Sequence, residues 1–168
     1  GYNIQRPYPI KSVIDELKTN QIVGIANGQA EYGPRALGNR SLLADPRGND
    51  IKDRVNKIKQ RQRFRPFAPV ILEEYAEQYF EGPVGPYMQY TAQCKDPQSY
   101  PAIVHKDGTS RVQTVAKECK SGIRRLLEAW YAETGCPMLL NTSLNIKGQP
   151  VVNTEEDAKN FARQYGIK

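Results

Sequence analysis

The sequence predicts an α/β or α+β domain built around a single mixed sheet. Segments in which apolar residues recur at helical spacing alternate along the chain with short apolar runs typical of buried strands. The 168 residues fit one domain and are few for two. We therefore predict a single domain over residues 1–168, with helices flanking a twisted sheet.

The first half of the chain is predicted to contain two helices and two strands. Apolar residues at helical spacing predict a helix over residues 10–17, and a short apolar run predicts a strand over residues 22–26. Glycine, proline and asparagine are frequent in residues 27–47, which we expect to form an ordered but irregular loop. Helical spacing returns at residues 51–58, and residues 67–72 are predicted to form a strand.

The second half continues this alternation. Residues 102–104 and 111–115 flank an Asp-Gly turn signal, so we predict a β-hairpin there. An amphipathic helix over residues 123–130 and a strand over residues 138–140 follow. A capping box at residues 154–157 is predicted to begin the final helix.

The composition argues against several classes of protein. No stretch approaches the ~20 consecutive apolar residues of a membrane-spanning helix, and no secretory signal precedes the first predicted helix, so we expect a cytoplasmic protein. Cys94, Cys119 and Cys136 form no Cys-x-x-Cys pair, which argues against a disulfide framework or a zinc site. His105 is the only histidine, and we interpret it as a structural residue. Any metal is expected to arrive with a substrate.

The positive charge of the chain is concentrated in one short stretch. The formal net charge is +6, and fourteen residues carry seven basic side chains against one acid, Asp53. Such a local field predicts an anion site, since a nucleic-acid surface usually draws basic residues from several segments. The seven are Lys52, Arg54, Lys57, Lys59, Arg61, Arg63 and Arg65.

Two loop segments, 28–41 and 57–67, carry arginines suited to binding an anion. Glycines in the first let the backbone approach a ligand, and the forked guanidinium groups of Arg35 and Arg40 can clamp a phosphate or carboxylate. In the second, Arg65 lies between two aromatic residues, a position that a solvated helix face explains poorly. The alternatives are solvated arginines on an ordinary loop and a solvated basic helix face.

Segments 105–111 and 141–148 are the other candidates for a site. Arg111 opens a predicted strand, from which it can reach a phosphate at the sheet edge. If the chain is extended after residue 140, Ser143 and Asn145 share one face, so hydroxyl and amide can grip the same ligand. A turn stabilised by Asn and Ser side chains is the alternative.

Taken together and in order, these segments resemble the C-terminal domain of the carbamoyltransferase family. The resemblance runs from about Asn20 to Ala158. More distantly, Lys59-x-Arg61 and Ser143-x-Asn145 are similar to the signatures of YrdC-type threonylcarbamoyl-adenylate synthases. The matching motifs are residues 31–41 (EYGPRALGNRS), 55–61 (VNKIKQR), 64–69 (FRPFAP), 105–115 (HKDGTSRVQTV) and 139–145 (LLNTSLN).

The resemblance implies a YrdC-like twisted sheet around a basic cavity, in which carbamoyl phosphate and ATP yield carbamoyl-adenylate. In the family, an N-terminal domain with an actin-like fold, often with iron, passes the carbamoyl group to a hydroxyl of an acceptor. Nothing in this sequence matches that domain, so the chain is expected to be excised from it or to work with it in cis or in trans. Gln62 stands where Glu is common, which removes a carboxylate that can orient an arginine, and Leu144 stands where Phe is usual.

The resemblance also implies the roles of individual residues. Lys59, Arg61 and Arg35 are expected to be catalytic and to hold the phosphates and the carbamoyl donor. Mg²⁺ is expected to enter with ATP, and no residue is assigned as a metal ligand. Further contacts to substrate and ATP are expected from Arg40, Ser41, Arg65, Arg111, Thr142, Ser143 and Asn145.

Lys59 and Arg61 lie two residues apart and cannot share one face of a regular helix. We therefore predict that the helix through residues 51–58 ends near Lys59 and passes into an extended segment that runs to Phe67. The residues predicted to converge on one cavity are Lys59, Arg61, Arg35, Ser143 and Asn145.

Two other functions remain open. The net charge and the ten tyrosines are compatible with nucleic-acid binding, although the aromatic residues do not alternate with the basic run as stacking platforms do. The second is a nucleotide- or RNA-binding YrdC-like module that has no activity of its own.

Overall fold

A computed structural model describes residues 3–4, 7–30 and 36–168. Its helices, in chain order, are α1 (Ile10–Asn20), α2 (Ile51–Ile58), α3 (Ala76–Tyr79), α4 (Gly122–Thr134) and α5 (Glu155–Tyr165). Its strands are β1 (Asn3–Ile4), β2 (Ile22–Ala26), β3 (Gly28–Gln29), β4 (Arg40–Ala44), β5 (Ala68–Leu72), β6 (Phe80–Glu81), β7 (Ala92–Cys94), β8 (Thr109–Ser110), β9 (Gln113–Val115) and β10 (Met138–Ser143).

The main sheet has the strand order β2-β4-β10-β5-β9 in the described part of the chain. Its neighbours pair antiparallel except β5 and β9, which are parallel. The predicted mixed sheet with flanking helices is therefore confirmed. Smaller sheets join β6, β7 and β8, and β1 with β3.

Helices cover both faces of the main sheet. Successive residues of a strand point to opposite faces, and β10 shows the result. Leu139 belongs to a buried cluster with Trp130 of α4 and with α1, whereas Leu140 belongs to a second cluster with Val55 of α2 and Phe161 of α5. Each large side chain that is fully buried in this way contributes about 1.5–3 kcal/mol relative to exposure.

The predicted capping box of the last helix is confirmed. The hydroxyl oxygen of Thr154 accepts a hydrogen bond from the backbone N–H of Asp157 at 3.1 Å, and the Asp157 carboxylate accepts one from the N–H of Thr154 at 2.8 Å. These two bonds satisfy N–H groups that would otherwise lack partners at the helix start.

The predicted hairpin around residues 105–109 is wrong. Its turn is present, with Gly108 at φ +81° and the backbone N–H of His105 donating to the carbonyl of Thr109 at 2.8 Å. However, Pro101–Ile103 forms a 3₁₀-helix rather than a strand. Strand β8 pairs with β7, whereas β9 pairs with β5 in the main sheet. The Asp-Gly signal predicted the turn itself correctly. The strands that follow it, β8 and β9, belong to different sheets.

The end of α2 is predicted correctly, but the segment after it is not extended. Lys59 caps the helix, and Gln60 then adopts a left-handed conformation at φ 52°. The side-chain amide of Asn56 donates hydrogen bonds to the carbonyls of Arg63 and Arg65, at 3.0 and 2.9 Å. These bonds fold the segment back against α2, so that its basic residues stay close to the helix end.

Among the described helices, none is long and apolar enough to cross a membrane.

Candidate active site

The ammonium group of Lys59 is buried where α2 ends and the chain leaves β10. The residue is 4% exposed. Its Nζ donates to the carbonyl oxygen of Ser143 at 2.6 Å, to the Ser143 hydroxyl at 3.1 Å and to Oδ1 of Asn145 at 2.9 Å. The ammonium, which has three N–H groups, thus lies among three neutral oxygens.

The Ser-x-Asn motif forms a turn that is itself held by hydrogen bonds. The Ser143 hydroxyl donates to Oδ1 of Asn145 at 2.6 Å, and Nδ2 of Asn145 donates to the carbonyl of Gln149 at 2.8 Å. The backbone N–H of Lys147 donates to the carbonyl of Lys59 at 2.9 Å. Main chain and side chains thus both join the turn to the end of α2.

Arg61 is oriented by three contacts within the same loop. Its Nε donates to Oδ1 of Asn56 at 2.7 Å, and Nη2 donates to the carbonyl of Pro66 at 3.1 Å. The guanidinium carbon lies 4.2 Å from the centre of the Phe67 ring, within the range of a cation–π interaction. The planar group is therefore fixed, with donors left over for a ligand.

The electrostatics of the site favour binding of an anion. Burial lowers the pKa of Lys59 to about 7, and the charge of Arg61 adds to this. Burial also lowers the pKa of Arg61 to about 10, with Arg65 adding to the effect. The hydrogen bonds that hold both cations come from neutral oxygens rather than carboxylates. A phosphate would supply the missing negative charge.

Two adjoining cavities open at this site. The first, which we name the Lys59 cavity, has a volume of about 280 Å³ and is lined by Lys59, Arg61, Arg65, Ser143, Asn145 and Lys147, among others. The second, the Asn141 cavity, has a volume of about 240 Å³ and is lined by Arg61, Phe67, Arg111, Asn141, Thr142 and Ser143, among others. Arg61 and Ser143 belong to both walls.

Most of the predicted site residues therefore lie together. Within the described chain, Lys59, Arg61, Ser143 and Asn145 converge on the Lys59 cavity, and the exposed Arg65 joins them. Arg111 and Thr142 line the neighbouring cavity. The contacts of these residues with substrates stay predictions. Arg35 lies outside the described residues, and its role likewise stays a prediction.

Arg40 does not reach either cavity, because its guanidinium ties four backbone carbonyls together. The residue is completely buried. Nη1 donates to the carbonyls of Asn27, Gly28 and Asn39 at 2.8, 3.3 and 3.0 Å, while Nε and Nη2 donate to that of Asn153 at 3.3 and 3.0 Å. This arrangement joins the start of β4 to the segment that precedes α5.

Ser41 does not line either cavity, although it pairs with Ser143 in the sheet. It is completely buried in β4, and its hydroxyl oxygen accepts a hydrogen bond from the N–H of Gly38 at 3.1 Å. Arg40 and Ser41 thus support the sheet, and neither lines the two cavities.

Sequence reasoning missed two asparagines. Asn56 holds Arg61, and Asn141 lies in the wall of the Asn141 cavity. A signal was present in both cases: Asn56 follows an apolar residue on the buried side of a helix, and Asn141 continues an apolar strand, where asparagine is uncommon. A buried polar side chain in such a place usually has a specific partner.

The two residues that depart from the family pattern differ in solvent exposure. Gln62 is exposed and lines the Lys59 cavity, but Asn56 already holds the neighbouring Arg61. Leu144 is 3% exposed and packs in the core. The described contacts of Arg61 come from Asn56, Pro66 and Phe67 and do not involve residue 62.

Known proteins are similar to this chain over most of its length. The family described as "Carbamoyltransferase C-terminus" matches residues 14–168. Nodulation protein NolO of Bradyrhizobium diazoefficiens is 41% identical over 164 residues, which cover 93% of this chain and 30% of that protein. The 3'-hydroxymethylcephem-O-carbamoyltransferase of Amycolatopsis lactamdurans is 39% identical over 163 residues, covering 96% of this chain and 31% of that protein.

Solved structures of HypF share the fold. HypF in its phosphate- and nucleotide-bound form has a TM-score of 0.63 at 17% identity, over 98% of this chain and 21% of that chain. HypF of T. kodakarensis has a TM-score of 0.64 at 16% identity, with the same coverage. The chain spans about a third or less of the length of the relatives it matches. It belongs to the carbamoyltransferase C-terminal family.

Proposed function

We propose that this domain activates a carbamoyl group with ATP. Hydrolysis of carbamoyl phosphate releases phosphate and leaves carbamate, and a carbamate oxygen then attacks the α-phosphorus of ATP. The new O–P bond forms as the bond between the α-phosphorus and the bridging oxygen breaks, and pyrophosphate leaves. The product of this step is carbamoyl-adenylate.

The observation that carries the proposal is the convergence of Lys59 and Arg61 with Ser143 and Asn145. The two signatures are 84 residues apart, yet Lys59 Nζ lies within hydrogen-bond distance of Ser143. The cations are buried or half-buried and held by neutral oxygens. A site built in this way gains most from a ligand that brings several negative charges, such as a triphosphate or an acyl phosphate.

Catalysis in this proposal needs no covalent intermediate with the protein. Lys59 and Arg61 face the charge that develops on the phosphates, and Arg35, Arg65 and Arg111 supply further phosphate contacts. Thr142, Ser143 and Asn145 fix the nucleotide or the carbamoyl group. Positioning and electrostatic stabilisation are the effects that dominate such phosphoryl-type transfers.

Mg²⁺ fits the site only as a companion of ATP. None of the described residues that line the two cavities carries a carboxylate, whereas Mg²⁺ prefers carboxylate, phosphate and water oxygens. The phosphate oxygens of ATP would hold the ion, and it would supply further neutralisation of the triphosphate charge.

The transfer of the carbamoyl group to an acceptor is assigned to another domain. The curated relatives are about three times as long as the matching segment, and we propose that an N-terminal actin-like-fold domain acts in cis or in trans as the O-carbamoyl transferase. Since ATP and carbamoyl phosphate are cytoplasmic metabolites, the proposed reaction takes place in the cytoplasm.

Release of pyrophosphate tests this function directly. The chain is mixed with ATP and Mg²⁺, with and without carbamoyl phosphate, and pyrophosphate is measured by a coupled assay. We expect release that depends on the carbamoyl donor and is lost in Lys59→Met. Binding of ATP without any donor-dependent pyrophosphate would instead favour a nucleotide-binding module that has no activity of its own.

A further inference from the structure

Asn141 has a buried hydrogen-bond acceptor without a partner. The residue lies on β10 at the centre of the main sheet, is 2% exposed and forms part of the wall of the Asn141 cavity. Its Nδ2 donates to the carbonyl of Ala36 at 2.9 Å and to Oε1 of Gln113 at 2.8 Å. In the described structure its Oδ1 has no hydrogen-bond partner.

The orientation of this amide follows from its neighbours. The carbonyl oxygen of Ala36 can only accept a hydrogen bond, so the side-chain atom of Asn141 beside it must be the nitrogen. Turning the amide over would place two acceptors against each other and leave the nitrogen without a partner. The unpartnered atom is therefore the oxygen, and both amide hydrogens are already used.

An unpaired acceptor in the interior is unfavourable unless a ligand or water pairs with it. The same cavity wall contains Arg61 and Arg111, whose guanidinium groups only donate. A ligand that satisfies both features combines an anionic group for the arginines with an N–H donor for Oδ1. The two groups must lie close together, because the cavity has a volume of about 240 Å³.

We propose that Asn141 is a specificity residue that accepts a hydrogen bond from the amino group of the carbamoyl donor. Carbamoyl phosphate carries its amino group and its phosphate on one short acyl phosphate unit. In ATP the adenine amino group and the phosphates are separated by the ribose, so a cavity of this size suits the carbamoyl donor better. The inference rests on the proposed function and adds the means by which the site distinguishes a carbamoyl group from an acetyl group.

The test compares two stable phosphonates that differ in this one group. Phosphonoacetamide carries an amide, and acetonylphosphonate carries a methyl ketone of nearly the same shape. Titration calorimetry on the wild-type chain is expected to give about tenfold or tighter binding of the amide, the scale of one hydrogen bond that is lost and leaves its partner unpaired. This comparison needs no variant and so is independent of folding effects.

Two variants test whether Asn141 causes the preference for the amide. Asn141→Ala is expected to remove it and to leave ATP affinity unchanged. Gln113→Met takes away one partner of Nδ2 but leaves Oδ1 in place, so this matched control should keep the preference. A decrease in ATP affinity in Asn141→Ala, without loss of the amide preference, would assign Oδ1 to the adenine amino group and overturn the proposal.

The outcomes separate this inference from the function on which it rests. If both phosphonates bind the wild-type chain equally well, Asn141 does not recognise the amino group, and carbamoyl activation still stands on its own assay. A preference for the amide that persists in Asn141→Ala would likewise show that Asn141 does not recognise the amino group. If neither phosphonate binds and no donor-dependent pyrophosphate is released, both proposals fall.

Discussion

The ammonium nitrogen of Lys59 lies 2.6 Å from the carbonyl oxygen of Ser143, a residue 84 positions further along the chain. This contact joins the end of a helix to the end of the central strand of the main sheet. It leaves the lysine surrounded by neutral oxygens, and the lysine and the neighbouring Arg61 line one cavity. The binding properties of the site follow from this burial of positive charge without a carboxylate.

Removal of either cation should weaken the binding of phosphates. In Lys59→Met or Arg61→Ala, affinity for ATP and for carbamoyl phosphate is expected to fall by about 1–3 kcal/mol, the scale of a lost charge-assisted contact. Titration calorimetry measures the change. Lys57→Met is the matched control, since this lysine lies on the same helix but is exposed and lines neither cavity. Equal affinity in all three variants and the wild type would rule out the site.

Anion affinity should decrease with rising pH. With the pKa of Lys59 near 7 in the free protein, its ammonium form becomes scarce above that pH, and the ligand must restore the proton in order to bind. Above pH 7 the affinity for the anion is expected to fall by up to about tenfold for each pH unit. Titrations from pH 7 upward in the wild type and in Lys59→Met check this. If the affinity of Lys59→Met depends on pH as steeply as that of the wild type, a group other than Lys59 is responsible.

The stability of the free chain should change with pH in the opposite direction. The pKa of Lys59 is lowered from its ordinary value of 10.5 to about 7 on folding, so between these values the unfolded chain binds more protons than the folded one. Lys59 therefore makes the free energy of unfolding rise with pH in this window, and its destabilising effect is complete below pH 7. Urea unfolding at several pH values should show this rise in the wild type relative to Lys59→Met.

The sequence predicts part of this site for a geometric reason. Two side chains two residues apart cannot share a helix face, so Lys59 and Arg61 required the helix to end, and it does. The course of the following loop depends on the side chain of Asn56 reaching two backbone carbonyls. Helical spacing marks Asn56 only as a member of α2 and does not say which groups its amide will meet.

The failure at residues 102–115 has a different cause. A tight turn at Gly108 is fixed by local chemistry, and it is found. Which strand pairs with β9 is decided by the packing of the whole sheet, where β5 is the partner. Similarly, the forked guanidinium of Arg40 suits a phosphate and a group of carbonyls equally well, and only the folded chain shows that it contacts the carbonyls.

Asn56 is expected to act on ligand binding through Arg61. Asn56→Ala removes the acceptor for Nε of Arg61 and the donor for two loop carbonyls, so we expect weaker binding of ATP and a loss of stability of about 1–3 kcal/mol. A double-mutant cycle with Arg61→Ala separates positioning from a general loss of structure. If Asn56 works through Arg61, the double variant binds ATP no more weakly than Arg61→Ala alone. Additive losses would contradict this.

Arg40 should contribute to stability rather than to ligand binding. The change Arg40→Lys keeps the charge but cannot reproduce a planar group that donates to four carbonyls. We expect a loss of more than about 2 kcal/mol in the free energy of unfolding, because buried carbonyls are left without donors. In the folded protein, ATP affinity should remain at the wild-type value.

The control for this prediction is Arg65→Lys, which alters an exposed arginine in the wall of the Lys59 cavity. Its pattern should be the reverse: stability within about 0.5 kcal/mol of the wild type and weaker binding of ATP, since a lysine cannot make the forked contact. Urea unfolding and titration calorimetry on the two variants give both quantities. Wild-type stability with impaired ATP binding in Arg40→Lys would show that Arg40 contacts the substrate. The expected result, lower stability with unchanged ATP affinity, would show that Arg40 supports β4.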